Sequence, residues 1–523
     1  MKKALIELIG ESQSDGGNYT AITGVDGSFH IENILPGRYR MFVERTGYRE
    51  IDKHRPRNEG RVLSLAAGQE MKDLVIRLQA AAVIAGRVTD EDGDPMAEAQ
   101  VSVLRRTFVA GRSRWEQAGA AHTDDRGEYR IPSLAAGSYF VSVTPPPDFR
   151  SLIEAGSDDT PAEVRRNAVA ALDKVGNAYQ TTYYPGTRDR GQAAPIQLRG
   201  GDDFPVNFSL TPSPSLTIRG SVVNLPGGST ATVMLQSKDF GLVLNGAEMR
   251  KDGSFEIRDV APGAYTILAT VDNAAASMMA RQSLQITSAM EGLKLALQTL
   301  GSIRGRLRME AGSAARADPS QMFLLLRSAD GDDDALNAVS MEESFSTLAH
   351  VNADGSFQWK NVPAGHYSVQ ISDASAMPDW FLKSIAAGRD AGDSGFSVSS
   401  GTTTLDLVAS ANGAVAEGIA TNQKDEPVAD AVVVAVPEAR FRNRPERYRK
   451  ALADQSGRFS IRGLPPGDYT LFAWESVDGE AYYNPEFLKS YEGQGKAVSV
   501  SEGDRKSMRL KAIAATEEES STN

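Results

Sequence analysis

The sequence contains no cysteine, and this absence removes several classes of protein at once. Without a thiol the chain can form no disulfide, no thiolate nucleophile and no zinc–thiolate site. Histidine is also scarce, with 5 residues in 523, and none lies in an HxxE or HExxH pattern of the kind that zinc peptidases use. We therefore expect these histidines, His54 among them, to be exposed residues of strands or loops, and we expect no metal site.

Long apolar runs and an excess of positive charge are lacking as well. No stretch approaches the roughly 20 apolar residues of a membrane-spanning helix. The formal net charge is -12, from 68 acidic and 56 basic residues. An acidic chain creates no overall positive field that would attract phosphates. The sequence therefore predicts neither a transmembrane segment nor a nucleic-acid partner.

Glycine and proline are abundant, and a glycine-based motif recurs along the chain. The chain has 48 glycines and 24 prolines, which favours many turns and short strands. Five stretches align without gaps: a glycine, an aromatic residue two positions later, a second glycine ten positions after the first, and a tyrosine two positions after that. These sets are Gly27, Phe29, Gly37, Tyr39; Gly127, Tyr129, Gly137, Tyr139; Gly253, Phe255, Gly263, Tyr265; Gly355, Phe357, Gly365, Tyr367; and Gly457, Phe459, Gly467, Tyr469. Repetition at fixed spacing identifies a structural unit of about 100 residues.

The motif can be interpreted physically. Asp-Gly pairs such as Asp354-Gly355 form tight turns, because glycine accepts a positive φ. Apolar residues then alternate with polar ones, as at Phe29 and Ile31, which predicts a strand with one buried face. Each unit also has a lead strand, such as the one at Ile303–Leu307, and is expected to close with a glycine-centred hairpin, as at Val498–Leu510. Many short strands between turns predict an antiparallel sandwich.

We therefore predict an all-β fold of five tandem antiparallel, Ig-like or transthyretin-like β-sandwiches. The predicted boundaries define segment 1 (1–79), segment 2 (80–211), segment 3 (212–299), segment 4 (300–409) and segment 5 (410–512), followed by a disordered tail (513–523).

Segment 2 is predicted to contain the one helical insertion. Thr160-Pro161-Ala162-Glu163 is a capping box with proline at the first helical position. Apolar residues at helical spacing come next, so a helix is expected near 160–175. Packing against its own sandwich is the favoured interpretation, and docking of a partner is the alternative.

Segment 1 lacks a lead strand, because Met1 aligns without gaps opposite Met96 of segment 2. We expect that the natural start lies upstream and carries a signal peptide, since Met1-Lys2-Lys3 is followed only by a short apolar run interrupted by Glu7. The expected location is periplasmic, cell-surface or secreted.

The motif resembles the carboxypeptidase regulatory-like family, a transthyretin-like, seven-stranded sandwich also called carbohydrate-binding-like. The residues that carry the resemblance in segment 5 are Gly457, Phe459, Leu464, Pro466, Gly467 and Tyr469. The resemblance implies a domain that accompanies an enzyme but holds no zinc ligands. Proteins with several copies resemble secreted or envelope proteins of soil bacteria, notably acidobacteria.

A second resemblance, to the collagen-adhesin B-type module, raises the question of Lys–Asn isopeptide crosslinks. In that module a glutamate just ahead of the Pro-x-Gly-Tyr turn promotes the bond. The corresponding residues here are Asn33, Ser133, Asp259, Asn361 and Gly463. None is glutamate, so we expect no such crosslinks.

Two acidic stretches could suggest calcium. Asp90 to Asp94 is rich in carboxylates, but its glycine is misplaced for an EF-hand loop and Val101 stands where the twelfth-position glutamate should be. A charged hairpin turn is favoured here, and the same interpretation applies to Asp332-Asp333-Asp334.

The candidate ligand contacts are aromatic loops and an arginine-rich stretch. Aromatic residues make up 7% of the chain, yet they cluster in equivalent positions after the tyrosine strand of segments 2, 4 and 5. These residues are Tyr183, Tyr184, Trp380, Phe381, Tyr482, Tyr483, Phe487 and Tyr491, with Arg444 and Arg447 from the basic stretch 440–450. The favoured interpretation is packing for the rings and a solvated loop for the arginines. The functional alternative is a surface that stacks on a glycan or peptide and binds anionic groups.

No convergent catalytic set is visible, so we predict a protein that is not an enzyme and needs no cofactor. The first hypothesis is a non-catalytic, extracytoplasmic binding protein, expected to be a monomer, that recognises a carbohydrate or an envelope protein or polymer. The alternative is a structural spacer of the cell surface.

Overall fold

The structure is a computed structural model that describes residues 1–11, 17–50, 60–72, 74–109, 111–145, 177–214, 216–237, 243–250, 252–271, 277–310, 318–328, 347–372, 378–387 and 395–515. The predicted helix near 160–175, His54, the acidic stretch Asp332–Asp334 and most of the predicted tail lie outside these residues. No helix in the described part of the chain has the length and apolar composition that crossing a bilayer requires.

The described elements are almost all strands, which confirms the all-β fold. Segment 1 contains β1 Leu5–Gly10, β2 Asn18–Ile22, β3 Gly37–Glu44, β4 Tyr48–Glu50, β5 Arg61–Leu65 and β6 Leu78–Ala80. Segment 2 contains β7 Ala82–Thr89, β8 Gln100–Val109, β9 Arg112–His122, β10 Glu128–Leu134, β11 Gly137–Thr144, β12 Asn177–Tyr179, β13 Thr182–Tyr183, β14 Ile196–Leu198, β15 Asp203–Pro205 and β16 Phe208–Ser209. Segment 3 contains β17 Pro212–Pro214, β18 Leu216–Val223, β19 Thr232–Ser237, β20 Val243–Glu248, β21 Ser254–Val260, β22 Gly263–Val271, β23 Met278–Ile286, β24 Met290–Ala296 and β25 Gln298–Thr299.

The last two segments contain the remaining described strands. Segment 4 contains β26 Gly301–Met309, β27 Phe323–Ser328, β28 Leu348–His350, β29 Ser356–Val362, β30 Gly365–Ser372, β31 Phe381–Ala386, β32 Phe396–Val398 and β33 Thr402–Ser410. Segment 5 contains β34 Ala414–Thr421, β35 Val432–Pro437, β36 Arg449–Leu452, β37 Arg458–Leu464, β38 Gly467–Trp474, β39 Lys496–Val500 and β40 Arg505–Ile513. Among the described residues the helical elements are the 3-10 turns Arg190–Gln192, Pro319–Gln321, Ala439–Phe441, Pro445–Arg447 and Ala481–Tyr483, and one α-helix, α1, at Pro485–Lys489.

The chain divides into two compact units. One consists of residues 1–81, 106–114 and 301–523, and the other of residues 82–105 and 115–300. The number of five domains and their boundaries stay predictions.

Segments 2 to 5 share one sheet plan. The lead strand lies between the strand of the first motif glycine and the last strand of the segment, as in the order β29-β26-β33. The pairing with the glycine strand is antiparallel, whereas the pairing with the last strand is parallel. The second sheet is built around the tyrosine strand, for example in the order β28-β27-β30-β32. Each sandwich therefore contains one mixed sheet, a detail that an alternating sequence pattern does not reveal.

The predicted closing hairpin is wrong. In segment 5, β39 pairs with β38 of the second sheet, while β40 pairs in parallel with β34 of the first. Segment 3 repeats this arrangement, because β23 pairs with β22 and β24 with β18. The glycine turn between the two strands thus carries the chain from one sheet to the other.

The first motif glycine permits a close backbone contact. Gly355 has a φ of +82°, and a Cβ atom there would lie 2.4 Å from the carbonyl oxygen of Leu307. The amide of Leu307 in turn donates to the carbonyl of Gly355 at 2.8 Å. Any side chain would push the turn away from the lead strand. Glycine is therefore required both for the positive φ and for this close contact.

The motif tyrosine closes the turn that precedes its strand. In segment 5 the Tyr469 hydroxyl donates to the carbonyl of Pro465, four residues earlier, at 2.8 Å. The same bond occurs in every repeat, from Tyr39 to Leu35, Tyr139 to Ala135, Tyr265 to Ala261 and Tyr367 to Pro363. A buried hydroxyl needs an acceptor, and this carbonyl supplies it. The arrangement resembles the tyrosine corner of Ig domains. The hydrogen bond requires a hydroxyl donor, which explains why tyrosine recurs here rather than phenylalanine.

The residue just ahead of the Pro-x-Gly-Tyr turn, which is the glutamate that promotes isopeptide bonds in adhesin modules, adopts a left-handed backbone conformation in this protein. Asn33, Ser133, Asn361 and Gly463 have φ values of +58°, +64°, +56° and +69°. Asparagine and glycine tolerate this left-handed conformation, which glutamate disfavours. Backbone geometry therefore accounts for the asparagines and the glycine at this position.

Segment 1 departs from the common plan. Its main sheet has the order β2-β1-β3-β5, and β4 pairs with β6. The strand predicted at Phe29 and Ile31 is absent from the described structure, although both side chains pack against the core of this segment. The other segments supply a lead strand opposite this stretch, and segment 1 has no described strand there.

Replacing Tyr469 by Phe should lower the free energy of unfolding by about 1 kcal/mol, because the Pro465 carbonyl loses its buried donor. Urea denaturation monitored by tryptophan fluorescence measures the change. Tyr48→Phe is the matched control, since Tyr48 is 40% exposed and should tolerate the loss of its hydroxyl. Equal stability of the two variants would contradict a stabilising tyrosine corner.

The intact mass of the purified protein should equal the mass of its sequence. A deficit of one ammonia or one water per module, measured by mass spectrometry, would mean that isopeptide bonds form after all.

Candidate functional site

The aromatic loop of segment 5 forms a small folded corner. A 3-10 turn at Ala481–Tyr483 leads into α1, whose N-cap Asn484 accepts hydrogen bonds from the amides of Glu486 and Phe487 at 2.8 and 3.2 Å. Pro485 comes directly after the cap, where the missing amide proton has no cost. The sequence Asn-Pro thus starts this helix and fixes the rings on either side of it.

These rings cover the outer face of the second sheet and form an additional core there. Tyr482 is only 3% exposed, whereas Tyr483, Phe487 and Tyr491 are half-buried. Trp474 of β38 lies 5.9 Å from the Tyr491 ring, centroid to centroid. The buried members of this cluster are Val434, Val436, Tyr448, Phe472, Trp474, Val477, Ala481, Tyr482, Leu488 and Ile513. Most of the predicted contact surface is thereby used for packing.

A hairpin tip from segment 2 belongs to the same compact unit and docks on this loop. The carbonyl of Phe108 accepts a hydrogen bond from the amide of Glu480 at 2.8 Å, and the Asn484 side-chain amide donates to the carbonyl of Gly111 at 2.9 Å. The Phe108 and Phe487 rings are 6.4 Å apart. A Cβ atom at Gly111 would lie 2.6 Å from the backbone of Tyr483, so only glycine permits this contact.

The aromatic residues of segments 2 and 4 are also largely buried. Tyr183 is 1% exposed, while Tyr184 is half-buried and packs on the core of its segment. Trp380 and Phe381 are 5% and 1% exposed. They lie where segment 4 meets segment 5, because the carbonyl of Trp380 would lie 3.0 Å from a Cβ atom at Gly463. Packing therefore accounts for these rings, and a ligand role for them stays a prediction.

The arginine-rich stretch is a structured connection rather than a fully solvated loop. Arg444 contacts Glu446 at 3.1 Å, and both side chains are mostly buried. The Arg447 guanidinium stacks on Phe441, 4.0 Å from the ring centroid. Arg449 donates to the carbonyls of Glu446 and Tyr448 at 2.6 and 2.9 Å. Cation–π and backbone contacts thus hold the guanidinium groups in place.

The arginine stretch and the aromatic loop come together in space. The Tyr448 and Tyr483 rings lie 4.5 Å apart. Burial raises the pKa of both hydroxyls, so both are neutral donors at physiological pH. Burial also raises the pKa of Glu446, while Arg444, Arg447 and Arg449 oppose that shift. Glu446 is the one carboxylate of the stretch 440–450, which contains five arginines and one lysine.

These groups line a cleft of about 570 Å³ within the unit that contains segments 4 and 5. The opposite wall consists of strand residues of segment 4. The lining residues are Gln370, Ile371, Leu382, Lys383, Ser384, Ile385, Ala386, Arg444, Pro445, Glu446, Arg447, Tyr448, Arg449, Pro465 and Tyr483. The size lies within the range of about 300 to 1,000 Å³ that ligand clefts occupy.

Of the predicted contact residues, Arg444, Arg447 and Tyr483 line the cleft, and the others lie in cores or beside the docked hairpin. Sequence reasoning missed Tyr448, Arg449 and the strand residues of segment 4. Tyr448 and Arg449 belong to the basic stretch. The wall from segment 4 gave no signal in the sequence, because its residues, such as Gln370 and Ile385, are of types that are ordinary in strands.

No metal site is apparent. Among the residues that the structure describes, no group of three or more His, Asp or Glu side chains could hold a metal ion. The Asp90 carboxylate accepts hydrogen bonds from the amides of Asp92 and Asp94 at 3.0 and 2.9 Å, so it stabilises a turn. His30, His122 and His350 are exposed, as the sequence predicted, whereas His366 is half-buried.

Comparison with solved structures gives only distant similarities. The Bacillus anthracis TIE protein is 9% identical, over 97% of this chain and 74% of that one, with a TM-score of 0.16. A streptococcal ancillary pilin is 12% identical, over 57% of this chain and 99% of that one, with a TM-score of 0.18. A minor pilin of Streptococcus agalactiae is 8% identical, over 42% of this chain and 96% of that one, with a TM-score of 0.20. Scores of this size carry no argument about function or location.

The family comparison is more specific. A search of curated proteins gave no match. The family model of the carboxypeptidase regulatory-like domain matches residues 83–147, which run from the lead strand to the tyrosine strand of segment 2. The resemblance read from the repeated motif is thereby confirmed for residues 83–147, which match the model of this family.

Proposed function

We propose that the chain is a non-catalytic, extracytoplasmic scaffold of β-sandwich modules whose aromatic loops hold distant parts of the chain together. The observation that carries this proposal is the docking of the hairpin tip at Phe108 and Gly111 onto the aromatic loop of segment 5. A loop built for a ligand would keep its rings accessible, and here they pack against protein.

A second junction supports the same proposal. Gln455 of segment 5 donates to the carbonyl of Ser64 at 2.9 Å and accepts from its amide at 3.0 Å. Arg61 lies 3.4 Å from Asp430. Segments 1 and 5 are the most distant in sequence, so these contacts are unlike those of modules joined only to their neighbours. A scaffold with non-sequential junctions fits this better than a simple linear spacer.

Binding of a carbohydrate or another envelope polymer is the second candidate. The cleft favours it, because Arg444, Arg447 and Tyr483 combine fixed cations with an aromatic hydroxyl at a surface opening. The predicted contacts Tyr184, Phe487 and Tyr491 keep part of their surface exposed and could extend such a site.

Tyr482→Ala should lower the free energy of unfolding by about 3 kcal/mol, because it removes a buried ring from the outer core. Differential scanning calorimetry of the full chain measures the change. Lys489→Ala on α1 is the control, since its side chain is 63% exposed and should leave the transition nearly unchanged. If Tyr482→Ala melts like the control but loses binding on a glycan array, the binding hypothesis replaces the scaffold.

Fractionation of cells that express the native full-length protein should place it outside the cytoplasm. Immunoblotting of the fractions, with a cytoplasmic enzyme as control, tests the proposed location. Recovery with the cytoplasmic marker would contradict it.

A further inference from the structure

Three guanidinium groups at or beside the cleft form no ion pair among the described residues. Arg447 stacks on Phe441 and donates to the carbonyl of Pro466 at 3.4 Å. Arg449 donates to two backbone carbonyls. The Nε atom of Arg327, on β27, is buried without a hydrogen-bond partner. Burying a cation without an opposite charge costs free energy, so an anionic group at this place would be stabilising.

The acidic and basic groups that do pair leave this excess of charge in place. Glu446 pairs with Arg444 at 3.1 Å. Lys383, on the wall from segment 4, is held by two glutamates at 2.7 Å each. Burial lowers the pKa of the Arg449 guanidinium, although Glu446 opposes this shift. A lowered arginine pKa is the direction expected where opposite charge compensates burial only in part.

The hydroxyl of Tyr483 is a further group that the protein leaves unused. Tyr483 lines the cleft, and its hydroxyl forms no hydrogen bond among the described residues. Burial, together with two nearby glutamates, raises the pKa of this hydroxyl, while Arg327 and Arg449 oppose the shift. The hydroxyl is therefore a neutral donor that lies near two cations without ion pairs. A donor of this kind is available to an anionic ligand.

The remaining lining combines apolar residues with polar ones. Ile371, Leu382 and Pro465 are apolar. Gln370 and Ser384 are polar, and their side chains form no hydrogen bond within the described part of the chain. An amide and a hydroxyl can each donate and accept, which is what the hydroxyls of a sugar require. This mixture suits a ligand ring with apolar C–H faces and hydroxyl groups at its edge.

We propose that the cleft binds a saccharide that carries a carboxylate, such as a uronic acid residue of an envelope polymer. The carboxylate accepts hydrogen bonds from the guanidinium groups of Arg447 and Arg449 and from the Tyr483 hydroxyl, while Gln370 and Ser384 bind ring hydroxyls. Planar guanidinium groups match the geometry of a carboxylate. A uronate ligand is a specific case of the second candidate function, carbohydrate binding, and depends on it.

The direct test is isothermal titration calorimetry of the full chain with trigalacturonate and trimannuronate. At least one of the two should bind, with an affinity that falls as NaCl rises, because salt screens the charges. The methyl ester of the same trisaccharide keeps the rings and hydroxyls but has no charge, and it should bind about tenfold more weakly. Equal affinity of the ester would overturn the carboxylate assignment and leave carbohydrate binding in place. Absence of binding by both uronates and the ester would overturn both.

Variants locate the site. Tyr483→Phe removes a hydroxyl that has no partner in the described structure, so the melting temperature should stay the same while the affinity for the uronate falls about tenfold. Arg447→Gln should cause a similar loss. Arg440→Gln is the matched control, because Arg440 belongs to the same basic stretch but pairs with Glu438 at 2.7 Å outside the cleft. Equal affinities of Tyr483→Phe and Arg440→Gln would overturn the assignment to this cleft.

Other ligands give different results. If a triglutamate peptide binds as tightly as the uronate, the cleft recognises acidic peptides and the proposal fails. If acetate or inorganic phosphate displaces the uronate at equal concentration, the cleft is a simple anion site and the proposal also fails. None of these outcomes bears on the scaffold function, which depends on the docked hairpin and is tested separately by Tyr482→Ala.

Discussion

The hydrogen bond from the motif tyrosine to a carbonyl four residues earlier is the constraint on which the rest of each sandwich depends. A buried hydroxyl that lacks an acceptor costs about 1 to 3 kcal/mol, so the turn must present its carbonyl at one place. In segment 5 the bond between Tyr469 and Pro465 fixes where β38 begins. Once that start is fixed, the register of β38 against β35 and β39 is also determined, because a slip of one residue would turn its buried face outward.

The same constraint positions the loops. The tyrosine strand begins at the second motif glycine, and the aromatic residues of segments 2, 4 and 5 follow its other end. The residues after Trp474 can therefore differ from those of the other segments without altering the turn that starts the strand. In segment 5 this freedom is used to build an outer core around α1.

The sequence predicted features that depend on neighbouring residues and missed those that depend on distant ones. The glycine turns and the buried face of strands such as β37 could be predicted, because the spacing of Gly457 and Phe459 is local. The closing strands were assigned to a hairpin because apolar and polar residues alternate on both sides of Gly503. This alternation is the same whether the two strands pair with each other or belong to separate sheets. Only the positions of β34 and β38, which lie far earlier in the chain, decide between these pairings.

The candidate site shows the same limit. An aromatic residue in a loop looks the same in the sequence whether its ring is exposed or buried. One ring that covers Phe487 belongs to Phe108, which lies far away in sequence. The arginines were noticed because charge clusters are visible in a sequence. Their surroundings depend on which residues they face, and the facing wall consists of ordinary strand residues of β30 and β31.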